Sequence, residues 1–549
     1  MQKRSFRNNL HKLWAIVLCI GLITACGNTG SANTGASIKG QKETTIEKAE
    51  FLKKEDKVEP SAKKQTENKD KTEEKNAEVK LPKMPKDQYH EVSFLAVGDV
   101  MVHKEQLKRA YVPATDSFDF VESFVYAQPF IESATYAFAN LETTLAGRSQ
   151  NTTSVTGSMY KGYSGYPNFN APESLGDALK WAGFDFIGTA NNHSLDKGLN
   201  GVINTLAYLR QIGLPYTGTF DTAEERNTLK VVEVGGLKIG VIAYTYATNG
   251  IYLKPEDMYR VNTLDNYQAE RIAELYETVK RAKQQPIDLL FVMMHYGNEY
   301  WEKPEKHYQA GITQELIRLG VDMVIGSHPH TLQPLIYTEQ DAVLLKKSEQ
   351  AQLPVNLTAN PQVNSQTSAH KAEATENAET ANKAEKTEGK PEALAQTEIN
   401  AQQPVTAETT TGQLPWDIAG IYSLGNFISS QRVISEYKTD TDTGAMIKWV
   451  YQWKNQDKPT LVKIGIIPTI VVWQDDRATV LPINDISIAA AKADPTMAIT
   501  PYVESRIANA QKTVLKRLTT FLPDSLIQSM QTEGDGFTYL YLHEEIKAK

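Results

Sequence analysis

Apolar residues in this chain fall into short runs that stop, repeatedly, at glycine or at a polar side chain. Phe94 to Val97 runs into Gly98-Asp99, Tyr136 to Ala139 into Asn140-Leu141-Glu142, and Phe184 to Ala190 into Asn191-Asn192-His193. Val231–Val234 and Lys238–Tyr244 flank Gly235-Gly236, a two-residue hairpin signal. Ile287 to Met294 stops at His295, and Val321 to Ile325 stops at Gly326-Ser327-His328-Pro329-His330. Ile421 to Phe427 is a last strand and turn. Short apolar runs ended by turn formers predict buried strands. Helical apolar spacing over Pro172–Trp181, Gly201–Ile212, Tyr267–Lys283 and Tyr308–Leu319 predicts the elements between them. Strand and helix in alternation predict an α/β domain with helices on the sheet faces. Trp449–Trp453, Val462–Trp473 and Ala478–Ile483 alternate apolar and polar, which predicts antiparallel strands forming a second sheet. Thr500–Phe521 predicts an amphipathic helix with Pro501 in its first turn.

Two stretches have little to bury. Residues 26–89 pass from Gly/Ser/Thr to mixed Lys and Glu, and 341–414 are Ala, Glu, Thr, Lys and Gln with scattered proline. Both compositions predict disorder. The first is a tether of about 60 residues that spans roughly 45 Å. The second is an insertion, which a fold tolerates because loop-closure cost rises slowly with length. The expected organisation is a leader at 1–25, the tether at 26–89, a folded domain at 90–340 and 415–485 around the insertion, and a helix and tail at 486–549.

The leader has basic residues up to Lys12, an apolar run Leu13–Ile23, and then Thr24-Ala25-Cys26. That order predicts a secretion signal. Ile23-Thr24-Ala25-Cys26 resembles a bacterial lipobox, with lipid attached to Cys26. An uncleaved signal anchor or ordinary secretion is the competing reading. The expected location is the outer face of the cell membrane, with the lipid as the membrane contact. Cys19 and Cys26 are the two cysteines of the chain, so the exported protein holds no disulfide. The formal net charge of −8 becomes four units more negative when the leader is removed. A chain this acidic has no basic stripe for nucleic acid.

Five strand ends carry Asp, Glu, Asn or His. Single Asx residues favour turns and helix caps, yet carboxylates just beyond strand ends are also where open α/β sheets place their chemistry. His328-Pro329-His330 reads equally as a turn or as a pair of metal ligands. Pro329 fixes its own φ and favours an extended His328, leaving the two imidazoles little freedom.

Taken in order, Gly98-Asp99-Val100-Met101-Val102-His103, Asn140-Leu141-Glu142, Asn191-Asn192-His193-Ser194-Leu195-Asp196, His295-Tyr296-Gly297-Asn298-Glu299-Tyr300, Gly326-Ser327-His328-Pro329-His330 and Tyr422-Ser423-Leu424-Gly425-Asn426-Phe427 resemble the capsule-synthesis protein CapA family. That family is associated with bacterial poly-γ-glutamate capsules and is similar in fold to calcineurin-like metallophosphoesterases. The resemblance implies a four-layer α/β/β/α sandwich, metallo-dependent phosphatase-like, with a site for one or two divalent cations. It implies Asp99 and His330 on one cation, Asn192, His295 and His328 on the other, and Glu142 between them. His193 would then act as an acid beside the ligands, with Asp196 as its partner; the bland alternative is a turn histidine hydrogen-bonded to Asp196. Nitrogen and oxygen ligands without thiolate suit Mn, Zn or Fe, with Mg also compatible. The chain departs from the phosphoesterase pattern at Met101, where a histidine is usual, and at Glu142, where an aspartate is usual. His103 lies two residues beyond Met101 and joins the site only if the chain turns tightly.

Three functions follow as expectations. One is a CapA-like protein supporting synthesis, export or anchoring of an anionic polymer such as polyglutamate, alongside its membrane synthesis complex. The second is an extracellular metallophosphoesterase acting on a small ester or nucleotide. The third is a non-catalytic binding module of the same fold. A basic groove leading to the site favours the first, a small closed pocket the second, and scattered ligands the third.

Overall fold

The structure, a computed structural model, describes residues 88–149, 159–338, 418–431, 433–434, 439–474 and 477–543. All lie within the compact unit Met84–Lys549. The expected leader, Cys26, residues 26–87 of the tether and the 341–414 insertion fall outside the described residues; Gln88 and Tyr89, expected in the tether, are described, and Tyr89 opens the first strand. Among the described residues, no helix is long and apolar enough to cross a membrane.

The larger sheet is built on β1 (Tyr89–Val100). Next to it, all parallel, run β2 (Tyr136–Leu141), β3 (Phe186–Gly188) and β4 (Tyr216–Thr217). The second sheet begins with the hairpin of β5 (Lys230–Val234) and β6 (Leu237–Thr245), which turns at Gly235-Gly236 as its sequence predicts. It continues in parallel through β7 (Leu289–His295), β8 (Met323–Ser327) and β10 (Ile418–Ile421), with β9 (Leu335–Tyr337) antiparallel at the edge.

Alternation along β1 explains the layering. Phe94 and Ala96 face the second sheet, while Leu95 and Val97 face helices on the other side. Between the sheets the Phe94 ring meets Phe291 edge-on, centroids 4.9 Å apart. Outside the first sheet, α2 (Ser174–Ala182) and α3 (Gly198–Gln211) bury Leu175, Leu179, Val202 and Leu206. Outside the second, α4 (Ala269–Lys283) and α5 (Gln309–Arg318) bury Leu275, Val279, Ile312 and Leu316. The result is a four-layer α/β/β/α sandwich. The short helix α1 (Lys104–Ala110) follows β1 directly.

The later strands sit differently from the sequence expectation. β12 (Thr443–Lys454) pairs antiparallel with β1, β13 (Thr460–Gln474) with β12, and β14 (Arg477–Pro482) with β13. They extend the first sheet instead of making a second one. The alternating pattern identifies antiparallel pairing but carries nothing about which edge receives it. β11 (Asn426–Ile428) runs parallel to the end of β1, with Asn426 opposite Asp99. Helix α6 (Pro501–Leu518) starts at the Thr500 cap as its Pro501 predicts. Beyond it, β15 (Gln531–Thr532) and β16 (Thr538–Tyr541) return to the sheet edge against β13.

Candidate metal centre

The carboxyl ends of both sheets converge on one set of side chains. β1 and β2 deliver Asp99 opposite Asn140, with Glu142 one residue beyond β2. β7 ends at His295 opposite Ser327, the last residue of β8. Glycine is required twice in this frame. A Cβ on Gly98 would lie 1.8 Å from the Gly425 carbonyl oxygen, and one on Gly326 would lie 1.9 Å from that of Tyr422.

Pro329 does not hold His328 extended, as its sequence context predicts. His328 has φ +97° and His330 φ +55°, both left-handed. The chain has just left β8 and must reverse at once for both imidazoles to face the site. Left-handed non-glycine residues cost about 1–3 kcal/mol each and persist where surrounding structure holds them. Here that structure is Asp99, whose Oδ2 accepts from the His328 backbone N–H at 3.3 Å and lies 3.3 Å from His330 Nδ1. Asn426 Oδ1, 3.0 Å from the same His330 nitrogen, completes the hold.

Two groups of ligand atoms share one carboxylate. Asp99, Glu142 and His330 form the first and Glu142, His295 and His328 the second, with the donor atoms of each within 4.8 Å of one another. Glu142 Oε1 lies 3.5 Å from His295 Nε2 and 3.8 Å from His330 Nε2. Asn192 joins the second group through its Oδ1, 2.7 Å from His295 Nε2. Asp99, Glu142, Asn192, His295, His328 and His330 are all buried. Among the described residues, both Glu142 oxygens and His328 Nδ1 lack a hydrogen-bond partner. Buried polar atoms are almost always paired. Three orphans on ligand-type atoms, with a shared carboxylate at the centre, are what a cation-binding site requires.

The electrostatics agree. Burial, then the charge of Asp99, pushes the Glu142 carboxyl well above its usual range. Burial holds His295 down to about 3 and His328 far down, so both imidazoles are neutral, the form that binds metal. Burial also works against charge on His330, but Asp99 outweighs it and raises that group. The strongest charges acting on these groups are one another's and those of His193, Asp196 and Glu299; no lysine or arginine is among them.

His193 and Asp196 stand beside this cluster. Asp196 Oδ2 is 2.7 Å from His193 Nδ1 and also accepts the Phe169 backbone N–H at 2.6 Å. The Phe169 ring packs edge-on against His193 at 4.6 Å. With Nδ1 turned to Asp196, the second ring nitrogen is the one left for chemistry.

His103 is in neither ligand group. It sits at the N-terminal cap of α1, its Nδ1 accepts the Ser430 backbone N–H at 3.2 Å, and its ring lies edge-on to Phe169 at 5.0 Å. A neutral imidazole accepting at Nδ1 carries its proton on Nε2. The tight turn that would bring it in is replaced by the start of α1.

Two contributors come from the loop after β6, an end the sequence reading leaves aside. Asn249, at φ +50°, accepts from Asn192 Nδ2 at 3.1 Å and has its amide nitrogen 3.3 Å from His193 Nδ1. The Tyr246 ring packs on His328 at 4.4 Å. A polar turn signal, Thr248-Asn249-Gly250, follows the core strand in the loop beyond Thr245, much as at the other site loops. Asn140, which donates to Asp99 Oδ1 at 2.7 Å, belongs to the quoted motifs but its positioning role appears only with the geometry.

The frame and this cluster define a four-layer α/β/β/α protein with paired candidate metal-binding groups at its strand ends. The family model described as bacterial capsule synthesis protein PGA_cap matches residues 93–431, well over half of the chain, and the chain belongs to that family. It is 25% identical over 240 residues to the capsule biosynthesis protein CapA of Bacillus anthracis, covering 43% of this chain and 54% of that one. It is 22% identical over 240 residues to the PGA biosynthesis protein CapA of Bacillus subtilis (strain 168), covering 44% and 57%. The chain thus spans little more than half the length of these relatives. Among solved structures it is similar to the calcineurin-like phosphoesterase YfkN from Bacillus subtilis, at 15% identity and TM-score 0.27, covering 45% of this chain and 74% of that one.

Proposed function

We propose that this protein is a capsule factor of CapA type, anchored by lipid on Cys26 at the outer face of the membrane, whose strand-end cluster is a hydrolase-like centre for two divalent cations. Its substrate on this reading is an anionic surface polymer or the bond that attaches it. The observation that carries the proposal is Glu142, central to both ligand groups with neither oxygen partnered among the described residues.

The donor set fits the cations. Asp99 and His330 would hold one, Asn192, His295 and His328 the other, and Glu142 both; oxygen and nitrogen donors suit Mn, Zn or Fe, and Mg is compatible. Bound there, such ions supply positive charge and Lewis acidity to an oxygen-rich substrate. His193 delivers a proton to the leaving oxygen through its free ring nitrogen, and Asp196 fixes the ring's orientation for that transfer. Asn249 holds Asn192 through its side-chain oxygen. Tyr246 and Phe169 restrict water on the two histidines they cover.

A metallophosphoesterase acting on a small ester is the second reading. It is favoured by the acidic groups Asp196 and Glu299 that act on Glu142, since a polyanion track would be lined by cations, although Lys197 stands beside Asp196. A binding module is disfavoured because the ligands are gathered and the His193–Asp196 pair is intact.

The test is hydrolysis of a phenyl phosphodiester by the purified full chain, with manganese and with chelator, alongside assay of surface polymer in a deletion strain. Manganese-dependent turnover that His193→Ala abolishes, with polymer loss in the strain, supports the capsule reading. Turnover with unchanged polymer supports the esterase reading, and no turnover with any divalent metal overturns both.

A further inference from the structure

The flank of the sandwich carries a second recess that shares no lining residue with the strand-end cluster. It measures about 260 Å³ and opens between the segment 226–230, the middle of β6 at Val241 and Ile242, and one face of α4. Three cations line it, Arg226, Lys230 and Arg281, and no lining residue is acidic. The chain as a whole has a formal charge of −8, so this local excess runs against its overall balance.

The three cations are only partly neutralised. Arg226 is the deeper one, its side chain 17% exposed. Its Nε donates to Asn262 Oδ1 at 2.9 Å and its Nη2 to Glu274 at 2.5 Å. Glu274 is divided, because its other oxygen takes Arg271 at 2.9 Å. Arg281 donates to the Thr278 hydroxyl at 3.0 Å, and Lys230 lies over the Tyr216 ring at 5.9 Å. Among the described residues, neither Lys230 nor Arg281 is within ion-pair distance of a carboxylate. Two cations without a carboxylate partner and a third whose carboxylate is shared, around a concavity with amide and hydroxyl groups between them and an apolar floor, make a receptor for anions. Guanidinium forks match the planar oxygens of carboxylate or phosphate. The volume sits just under the roughly 300–1,000 Å³ of small-molecule sites.

We propose that this flank recess is a binding site for a small anion bearing at least two negative charges as carboxylate or phosphate. Arg226 takes one acidic group at depth, and Lys230 with Arg281 takes the other at the rim. The site does not depend on the proposed strand-end chemistry.

Calorimetric titration of the full chain tests it, with inorganic phosphate and glutarate as separate probes. The protein is kept in chelator so that cations at the strand ends do not bind the phosphate. Saturable binding is expected, weakened about tenfold by Arg281→Gln and further by adding Lys230→Gln, since each change removes a charge-assisted contact. Both rim variants should melt as the parent does, because neither residue pairs with a carboxylate; Arg226→Gln, which also releases Glu274, is the variant that risks the fold. Glutarate binding alone assigns the site to carboxylates, and phosphate binding alone to phosphates. Absence of saturable binding by both probes, or equal affinity in the rim double variant, overturns the proposal.

Discussion

Glu142→Gln separates what the central carboxylate does with and without cations. In the metal-free protein its donor oxygen lies within 4.8 Å of that of Asp99. Two unit charges at that spacing repel by about 3.5 kcal/mol at an effective dielectric near 20. Burial and this repulsion favour the protonated form of Glu142, which glutamine reproduces in shape and charge. The metal-free variant should therefore match the parent in stability to within about 1 kcal/mol. The sign with pH follows from the raised carboxyl. Its stabilisation is full below the unfolded-state value of about 4.3 and is lost as pH rises through the higher folded value. Chelated parent protein should weaken across that window, and the variant should lack this contribution. Cations reverse the ranking. At about a hundredfold excess over Kd each bound cation stabilises the parent by about 2.7 kcal/mol, roughly 3 °C in Tm per site for a folded unit of this size. The variant, missing the ligand common to both groups, should show little of that rise. Thermal melts of the full chain in chelator and in manganese, at several pH values, read all three effects. A variant that gains as much as the parent from manganese would refute the shared-ligand role.

Other outcomes follow from the same geometry. His193→Ala should cut phosphodiester turnover by about 10²–10⁴ while leaving metal content intact, because the residue belongs to neither ligand group; steady-state rates with metal analysis check it. Asp196→Asn should lower kcat more than it alters KM, since it orients the ring and touches no substrate; a Michaelis series decides. Gly326→Ala forces a Cβ to 1.9 Å from a backbone oxygen and should destabilise by about 3 kcal/mol or more, measured by denaturant unfolding.

Much of this architecture was legible in the order of residues, because strand ends in an α/β protein carry their chemistry at the point where the apolar run stops. Asp99, Glu142, Asn192, His295, His328 and His330 each follow such a stop, and the structure brings all six together. Helix spans were legible to within a few residues for the same periodic reason. What stayed hidden depends on contacts between distant segments. The edge of β1 that receives β12 is chosen by tertiary pairing, so alternation alone points to a separate sheet as readily as to an extension of the first. His103 looked available because spacing says nothing of the Ser430 N–H that occupies it. The left-handed turns at His328 and His330 arise from Asp99 and Asn426, 229 and 96 residues away. Pro329 alone pointed the other way.

The measurement closest to the central claim is metal content of the purified full chain, beside the His328→Ala and His330→Ala variants. Each single change removes a ligand from a different group. Two equivalents of divalent metal in the parent and a reduced content in each variant are the predicted result. A parent without bound metal, indifferent to chelator in its melting, would contradict the metal centre outright.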